Sequence, residues 1–185
     1  MIVERPVLNN GIVTLRPWRK TDLEEIVEMC QDSEIVRWTR VPSPYGEAEA
    51  RKALADQRRG AEDGTSFGFA IADADDKAVL GSIDVRIVAT GIGDIGYFVR
   101  DTARRRGVGK ASLRLVSQWA LDGLGLARLQ ITSRPENVPS RRLAESCGYR
   151  YEGVLRAWLE LKGARVDAAM YSLLPGDIGR LSDSE

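Results

Sequence analysis

Asp94-Ile95-Gly96-Tyr97-Phe98-Val99-Arg100-Asp101-Thr102-Ala103-Arg104-Arg105-Arg106-Gly107-Val108-Gly109-Lys110-Ala111 is the stretch on which the fold turns. Its first six residues, with β-branched and aromatic side chains, read as a strand ending near Val99. From Val108 onward, Val108, Ala111, Leu115 and Trp119 mark one face of a helix, flanked by Val116 and Ala120, while Lys110, Arg114 and Gln118 point away. Between the two lies Arg104-x-x-Gly107-x-Gly109. The first turn of a helix leaves backbone N–H groups unpaired and carries about half a positive charge, and glycines let a pyrophosphate approach the main chain. Three neighbouring arginines add charge and donors. On spacing alone, Asp101 to Arg106 reads equally as a solvated charged turn.

Two neighbouring glycine patterns fall away. Gly91-Ile92-Gly93-Asp94-Ile95-Gly96 fits G-x-G-x-x-G, but Tyr97-Phe98-Val99 continues as strand where a dinucleotide site needs a helix, so the segment reads as a hairpin turn. Gly107-Val108-Gly109-Lys110-Ala111 resembles a phosphate loop of nucleotide hydrolases. However, arginine stands at 104 in place of the first glycine, and alanine follows the lysine.

Toward the N-terminus, Val79 to Val88 and Phe67 to Ile71 suggest an antiparallel hairpin around Asp73-Ala74-Asp75-Asp76-Lys77. An Ala-rich helix covers Glu47 to Arg59 and stops at Gly60, and Trp38 to Gly46, with two prolines, is a loop. Thr21-Asp22-Leu23-Glu24 has capping-box form and opens a helix whose Leu23, Ile26, Val27 and Cys30 share a face. Ile12 to Leu15 is a first strand. Toward the C-terminus come a strand at Ala127 to Thr132, a helix from Pro139 to Cys147, and a hairpin of Tyr149 to Leu161 with Val166 to Leu173 around Lys162-Gly163-Ala164. Hairpins beside one strand-helix-strand crossover predict an α+β fold with a mixed sheet flanked by helices. No repeat or linker divides the chain, and Ser182 to Glu185 reads as a frayed tail.

The bulk numbers narrow the chemistry. At 185 residues with 43% apolar content the chain fits a single domain with a core of its own. Lys plus Arg equals Asp plus Glu, 27 each, which argues against nucleic acid as a principal ligand. No apolar run approaches the roughly 18 residues of a membrane span, and Met1 to Pro6 lacks the form of a leader, so a cytoplasmic protein is expected. Cys30 and Cys147 match no metal-ligand spacing and read as reduced, buried thiols. The chain has no histidine, which excludes Ser-His-Asp and Cys-His nucleophilic systems and any histidine-bearing zinc site.

Gly96-Tyr97-Phe98-Val99, Arg104-x-x-Gly107-x-Gly109, Asn137-x-x-Ser140, Gly148-Tyr149-x-x-Glu152-Gly153 and Tyr171-Ser172-Leu173-Leu174, in that order, resemble the GNAT acetyltransferase superfamily, and within it the RimJ/RimL type that acetylates protein N-termini. The likeness spans about Thr14 to Leu174. It implies a twisted, mostly antiparallel sheet of six to seven strands with a V-shaped splay, about four flanking helices, and a single domain with its core over residues 12–174.

The resemblance further implies that acetyl-CoA is the cosubstrate, with no metal. Its pantetheine arm would lie in the splay against backbone groups of Phe98 and Val99. Its pyrophosphate would sit on Arg104, Arg105, Arg106, Gly107, Val108, Gly109 and Lys110, and Asn137 would hold the arm from the far side. Gly107 and Gly109 are expected to be small because the phosphates approach there.

Acetyl transfer needs a neutral amine, a stabilised oxyanion and a proton for the departing thiolate. An N-terminal amine, of pKa near 8, needs less help than lysine near 10.4. The family's frequent acid, a tyrosine seven residues past the asparagine, is replaced here by Ala144, which leaves Ser140; that serine also suits a helix cap. Asp84 or Asp94 is the candidate base, the Val99 N–H the oxyanion donor, and Tyr151 and Glu152 lie near the same wall by analogy. Trp18, Trp38, Tyr45, Trp158 and Glu160 shape an acceptor pocket or belong to the core. The acceptor is a protein or peptide N-terminus, with a small amine such as an antibiotic or polyamine as the alternative; a non-catalytic acyl-CoA-binding module is the reading from another class. An exposed apolar strand edge would make a homodimer.

Overall fold

A computed structural model of the chain describes residues 5–178; the tail expected at Ser182 to Glu185 and the first four residues of the N-terminal segment lie outside them. The elements in order are β1 Leu8–Asn9, β2 Val13–Arg16, α1 Leu23–Met29, α2 Ser33–Trp38, α3 Glu47–Glu62, β3 Ser66–Asp73, β4 Val79–Ala89, β5 Ile92–Val99, α4 Val108–Asp122, β6 Arg128–Ser133, α5 Val138–Ser146, β7 Arg150–Leu161, β8 Ala164–Leu173 and α6 Pro175–Ile178. The strands form one sheet in the order β1-β2-β3-β4-β5-β6-β8-β7. Every pair is antiparallel except β5 with β6, which the α4 crossover makes parallel. Among the described residues eight strands and six helices stand where six to seven and about four were expected, because two-residue β1 and the short α2 and α6 carry too few residues to show a period.

β3 is buried on both faces, and its alternating side chains divide between two layers. Phe67 and Phe69 meet Trp119 of α4 edge-on at 5.5 and 5.2 Å, joining the main core of Leu15, Ile83, Leu113, Val116, Leu129 and Tyr171. Ala70 points the other way, toward Met29 at the end of α1. Helix α4 is buried more widely than its expected face: Leu113, Ser117 and Leu121 are covered as well, because α5 packs along its flank. Ile26 and Cys30 of α1 are buried as their spacing implied, with Leu23 and Val27 packed beside them. No described helix is long and apolar enough to cross a membrane.

Three local expectations are corrected. Helix α3 runs through Gly60, whose missing side chain admits Ser66 of β3; a Cβ there would fall 2.0 Å from the Ser66 hydroxyl. The helix ends instead at Asp63, followed by Gly64 at φ +68°. The start of α1 is not capped by Thr21. Asp22 accepts from the Arg19 N–H at 2.7 Å and pairs with Arg16 at 2.8 and 3.0 Å, a buried clasp that Asp76 completes at 2.5 Å. The third concerns the loop before α3: its first residue, Trp38, closes α2, which Asp32 caps by accepting from the Glu34 N–H.

Candidate active site

Beyond Asp94↔Gln130 the parallel ladder of β5 and β6 stops, and the two strands part. The opening is a cleft of about 780 Å³, with β5 on one side, the end of β6 and the start of α5 on the other, and the α4 loop at one end. Strand alternation decides which main-chain groups face it. Arg100 donates its N–H to the Leu80 carbonyl at 2.8 Å, and Gly81 opposes Val99, so Phe98, in phase with Arg100, directs its peptide groups to β4. Those of Tyr97 and Val99 face the opening. The expectation that Phe98 offers main-chain bonds there is therefore corrected to Tyr97; the Phe98 side chain packs beside Met29 and Tyr45.

At the end of the cleft Arg105 and Gly107 adopt left-handed φ values of +60° and +80°. Alternating the chain in this way folds successive amides toward one side, at the point where α4 begins with unpaired N–H groups. Gly107 needs that φ, and a Cβ built on it meets nothing within 4 Å. Gly109 lines the cleft and has a reason to be small besides the one expected: its Cβ would lie 3.0 Å from the Leu143 side chain of α5. Arg105 and Lys110 are exposed and line the cleft. Arg106 is exposed outside the lining, with a guanidinium N–H reaching the Thr102 carbonyl at 3.5 Å, and the Val108 side chain is buried in the core. Arg104 borders the cleft, but its guanidinium is committed to the Val99 carbonyl at 3.0 Å and to the Asp32 carboxylate.

On the far wall Asn137 caps α5, accepting the Ser140 N–H at 3.3 Å. Asn137 rather than Ser140 is thus the cap, which leaves the Ser140 hydroxyl for other work. It lies 3.0 Å from the phenol oxygen of Tyr97, which also reaches the Ser140 carbonyl at 3.2 Å. Burial pushes the Tyr97 phenol well above its usual range, so it stays protonated. Tyr97 was read from sequence as a strand residue within the motif Gly96-Tyr97-Phe98-Val99, with no chemical role assigned to it. Ala144 is buried in the core, and a phenol arrives from β5 instead.

The two aspartates part company. Asp84 on β4 lines the cleft with its side chain 31% exposed to it. Surrounding protein pushes its carboxyl up to about 6, with Arg86 and Arg40 opposing and Asp94 reinforcing the shift. Asp94 lies outside the cleft lining, held by Arg86 at 2.6 Å and Gln130 at 3.4 Å. Burial raises its carboxyl too, but a guanidinium already occupies it.

The other expected residues divide between the cleft and the rest of the fold. Glu152 is clamped by Arg128 at 2.9 and 2.6 Å and by Ser172 at 2.6 Å, hydrogen bonds that hold its carboxyl down at about 2. Tyr151 stacks on Tyr171 at 5.4 Å. Trp38 and Glu160 line the cleft, whereas Trp18 and Tyr45 belong to the core around α1. Cys30 and Cys147 are buried free thiols; burial raises both, Cys30 to about 11, so neither offers a thiolate. Among the described residues no cluster of His, Cys, Asp and Glu is arranged to hold a metal.

An open splay, a cradle of amides and an ionisable carboxylate agree with what the chain is similar to. Residues 13–150 match the family model described as "Acetyltransferase (GNAT) domain". The uncharacterized N-acetyltransferase p20 of Bacillus licheniformis is 26% identical over 161 residues, 84% of this chain and 90% of that protein. Mycobacterium smegmatis RimJ, solved in complex with CoA-disulfide, superposes with a TM-score of 0.83 at 23% identity, covering 97% of this chain and 93% of that one. A GCN5-related N-acetyltransferase from Brucella melitensis gives 0.83 at 25% identity, covering 99% and 85%.

Proposed function

The chain belongs to the GNAT acetyltransferase family and is an acetyl-CoA-dependent N-acetyltransferase, and from that premise we propose that its acceptor is the α-amine of a protein or peptide N-terminus. Asp84 carries this reading. A carboxylate with pKa about 6, opening into the cleft, is a mild base. It suits an amine of pKa near 8, which is already partly neutral at pH 7, better than lysine near 10.4. The reading takes the chain as one domain, core residues 12–174, working in the cytoplasm.

The residues present fit the coenzyme. The amides from Arg105 to Lys110 meet its diphosphate, and Arg105 and Lys110 add positive charge. Tyr97 and Val99 offer main-chain groups to the pantetheine arm, and Asn137 faces it from α5. The amine attacks the thioester carbonyl directly, giving up a proton toward Asp84. The Val99 N–H steadies the oxyanion, the C–S bond breaks, and the Ser140 hydroxyl protonates the leaving sulfur, with the Tyr97 phenol in place to restore that proton.

Glu34 and Glu160 on the cleft rim favour a second acceptor, a small polyamine. The exposed side chains of Tyr151 and Val154 on edge strand β7 are what a homodimer would cover. Thiol release from acetyl-CoA, measured across N-terminal peptides, N-terminally blocked lysine peptides and polyamines, tests the reading. Turnover of the first group is expected. Turnover of polyamines alone would replace the acceptor, and no thiol release with any amine would favour a binding module.

A further inference from the structure

A second cavity, of about 480 Å³, adjoins the cleft and shares Arg40, Arg86, Thr132 and Leu159 with it. Its remaining lining includes Asp94, Gln130 and Trp158. Two features set it apart from an incidental hollow.

The first is a bulge in β7. The register with β8 shifts between Leu155 and Leu159, and Ala157 sits in the left-handed region at φ +51°, its N–H donated to Asp167 at 2.8 Å. A non-glycine residue in that conformation is strained, and bulges re-aim side chains beside active sites. This one puts Trp158 on the cavity wall with 53% of its surface exposed. An indole held open to water by a strained strand is suited to cover something.

The second is Arg40. Among the described residues Arg86 is paired with Asp84 and Asp94, whereas Arg40, exposed where the two cavities meet, has no ion-pair partner and feels those aspartates only at longer range. A guanidinium so placed presents planar donors to an incoming carboxylate. The spacing sets the reach from Asp84, in the cleft, to the second cavity, which Arg86 and Asp94 line. Asp84↔Gly96 and Arg86↔Asp94 are adjacent same-face positions two residues apart, about 6.7 Å along the strand. Two residues of extended peptide span a similar distance, about 7 Å.

We propose that the second cavity is an acceptor subsite that reads the residue after the reacting N-terminus and takes an acidic side chain there, its carboxylate on Arg40 and its methylene atoms against Trp158. The proposal rests on the N-terminal acceptor reading and adds the class of peptide.

The test uses thiol release with the full chain and three peptides that differ only at the second residue, Asp, Asn or Lys. The Asp peptide is expected to exceed the Asn peptide at least tenfold in kcat/KM, with Lys lowest. Arg40→Glu should invert the order, and Arg40→Gln should bring Asp and Asn to within about threefold of one another. Because Arg40 is exposed, both variants should unfold at the wild-type temperature. Trp158→Ala should raise KM for the Asp peptide without lowering the rate at saturation. Equal rates on the three peptides, or an Asp preference that survives Arg40→Glu, would overturn the subsite and leave the N-terminal reading standing. Turnover of polyamines or free amino acids with no peptide reacting would overturn both.

Discussion

The two ends of the cleft are built by different means. The coenzyme end is main chain: amides at the start of α4, two left-handed residues, and the unpaired edge of β5 near Val99. The acceptor end is side chain: Asp84, Arg40, Trp38, Glu160 and Trp158, carried by strand β4, a six-residue helix, a loop and a bulged hairpin. Peptide groups offer the same pattern whatever the side chains are, which suits a ligand that does not vary. Side chains can be exchanged one at a time, which suits a site that sets specificity.

The largest effect is expected from removing the clasp that ties β2 and the β3–β4 turn to the start of α1. In Asp22→Ala the Arg16 guanidinium stays buried with only Asp76 beside it, and a loss of about 3–5 kcal/mol in urea unfolding is expected. A loss below about 1 kcal/mol would mean the clasp does not hold those elements together.

Gly107→Val strikes the coenzyme end. Forcing a β-branched residue to φ +80° costs a few kcal/mol or reshapes the loop, so acetyl-CoA should bind roughly a hundredfold more weakly by calorimetry. Unchanged binding in the folded variant would remove the amide cradle from the account. Gly107 is a cleaner site for this than Gly109, where any side chain also meets Leu143.

Ser140→Ala sharpens the contrast from the middle, since it should lower kcat roughly a hundredfold with acetyl-CoA affinity unchanged. Tyr97→Phe, which keeps the ring and loses the phenol, should lower kcat about tenfold. Full activity in both variants would take this pair out of the chemistry.

The smallest effect is in the pH profile. With a peptide amine of pKa near 8, log kcat/KM should fall with slope one below that value. A protonated Asp84 cannot accept a proton, so the slope should steepen toward two as pH falls through about 6. Asp84→Asn should be slower throughout and keep a single slope; the same steepening in that variant would assign the second ionisation elsewhere.

Legibility followed the same division. The β5-α4 crossover and its loop could be read from Tyr97-Phe98-Val99 and Arg104-x-x-Gly107-x-Gly109, because local periodicity and glycine placement dictate them. At the acceptor end Asp84, Trp38, Trp158 and Glu160 could be named, but not what positions them. Helix α2 is too short for a period, and its only signal is Asp32 two residues before Glu34. The Ala157 bulge depends on Asp167 across the hairpin. The pairing of Tyr97 with Ser140 joins residues 43 apart and leaves no trace in spacing. Even the separation of Asp84 from Asp94 is set by which one Arg86 reaches with its terminal nitrogen.

Arg104 belongs to both ends at once. Its guanidinium donates to the carbonyl that closes β5 and grips Asp32, the cap of α2. The strand that flanks the cleft and the short helix that borders it are therefore tied together by a single planar fork, and Arg104→Ala would release both at once.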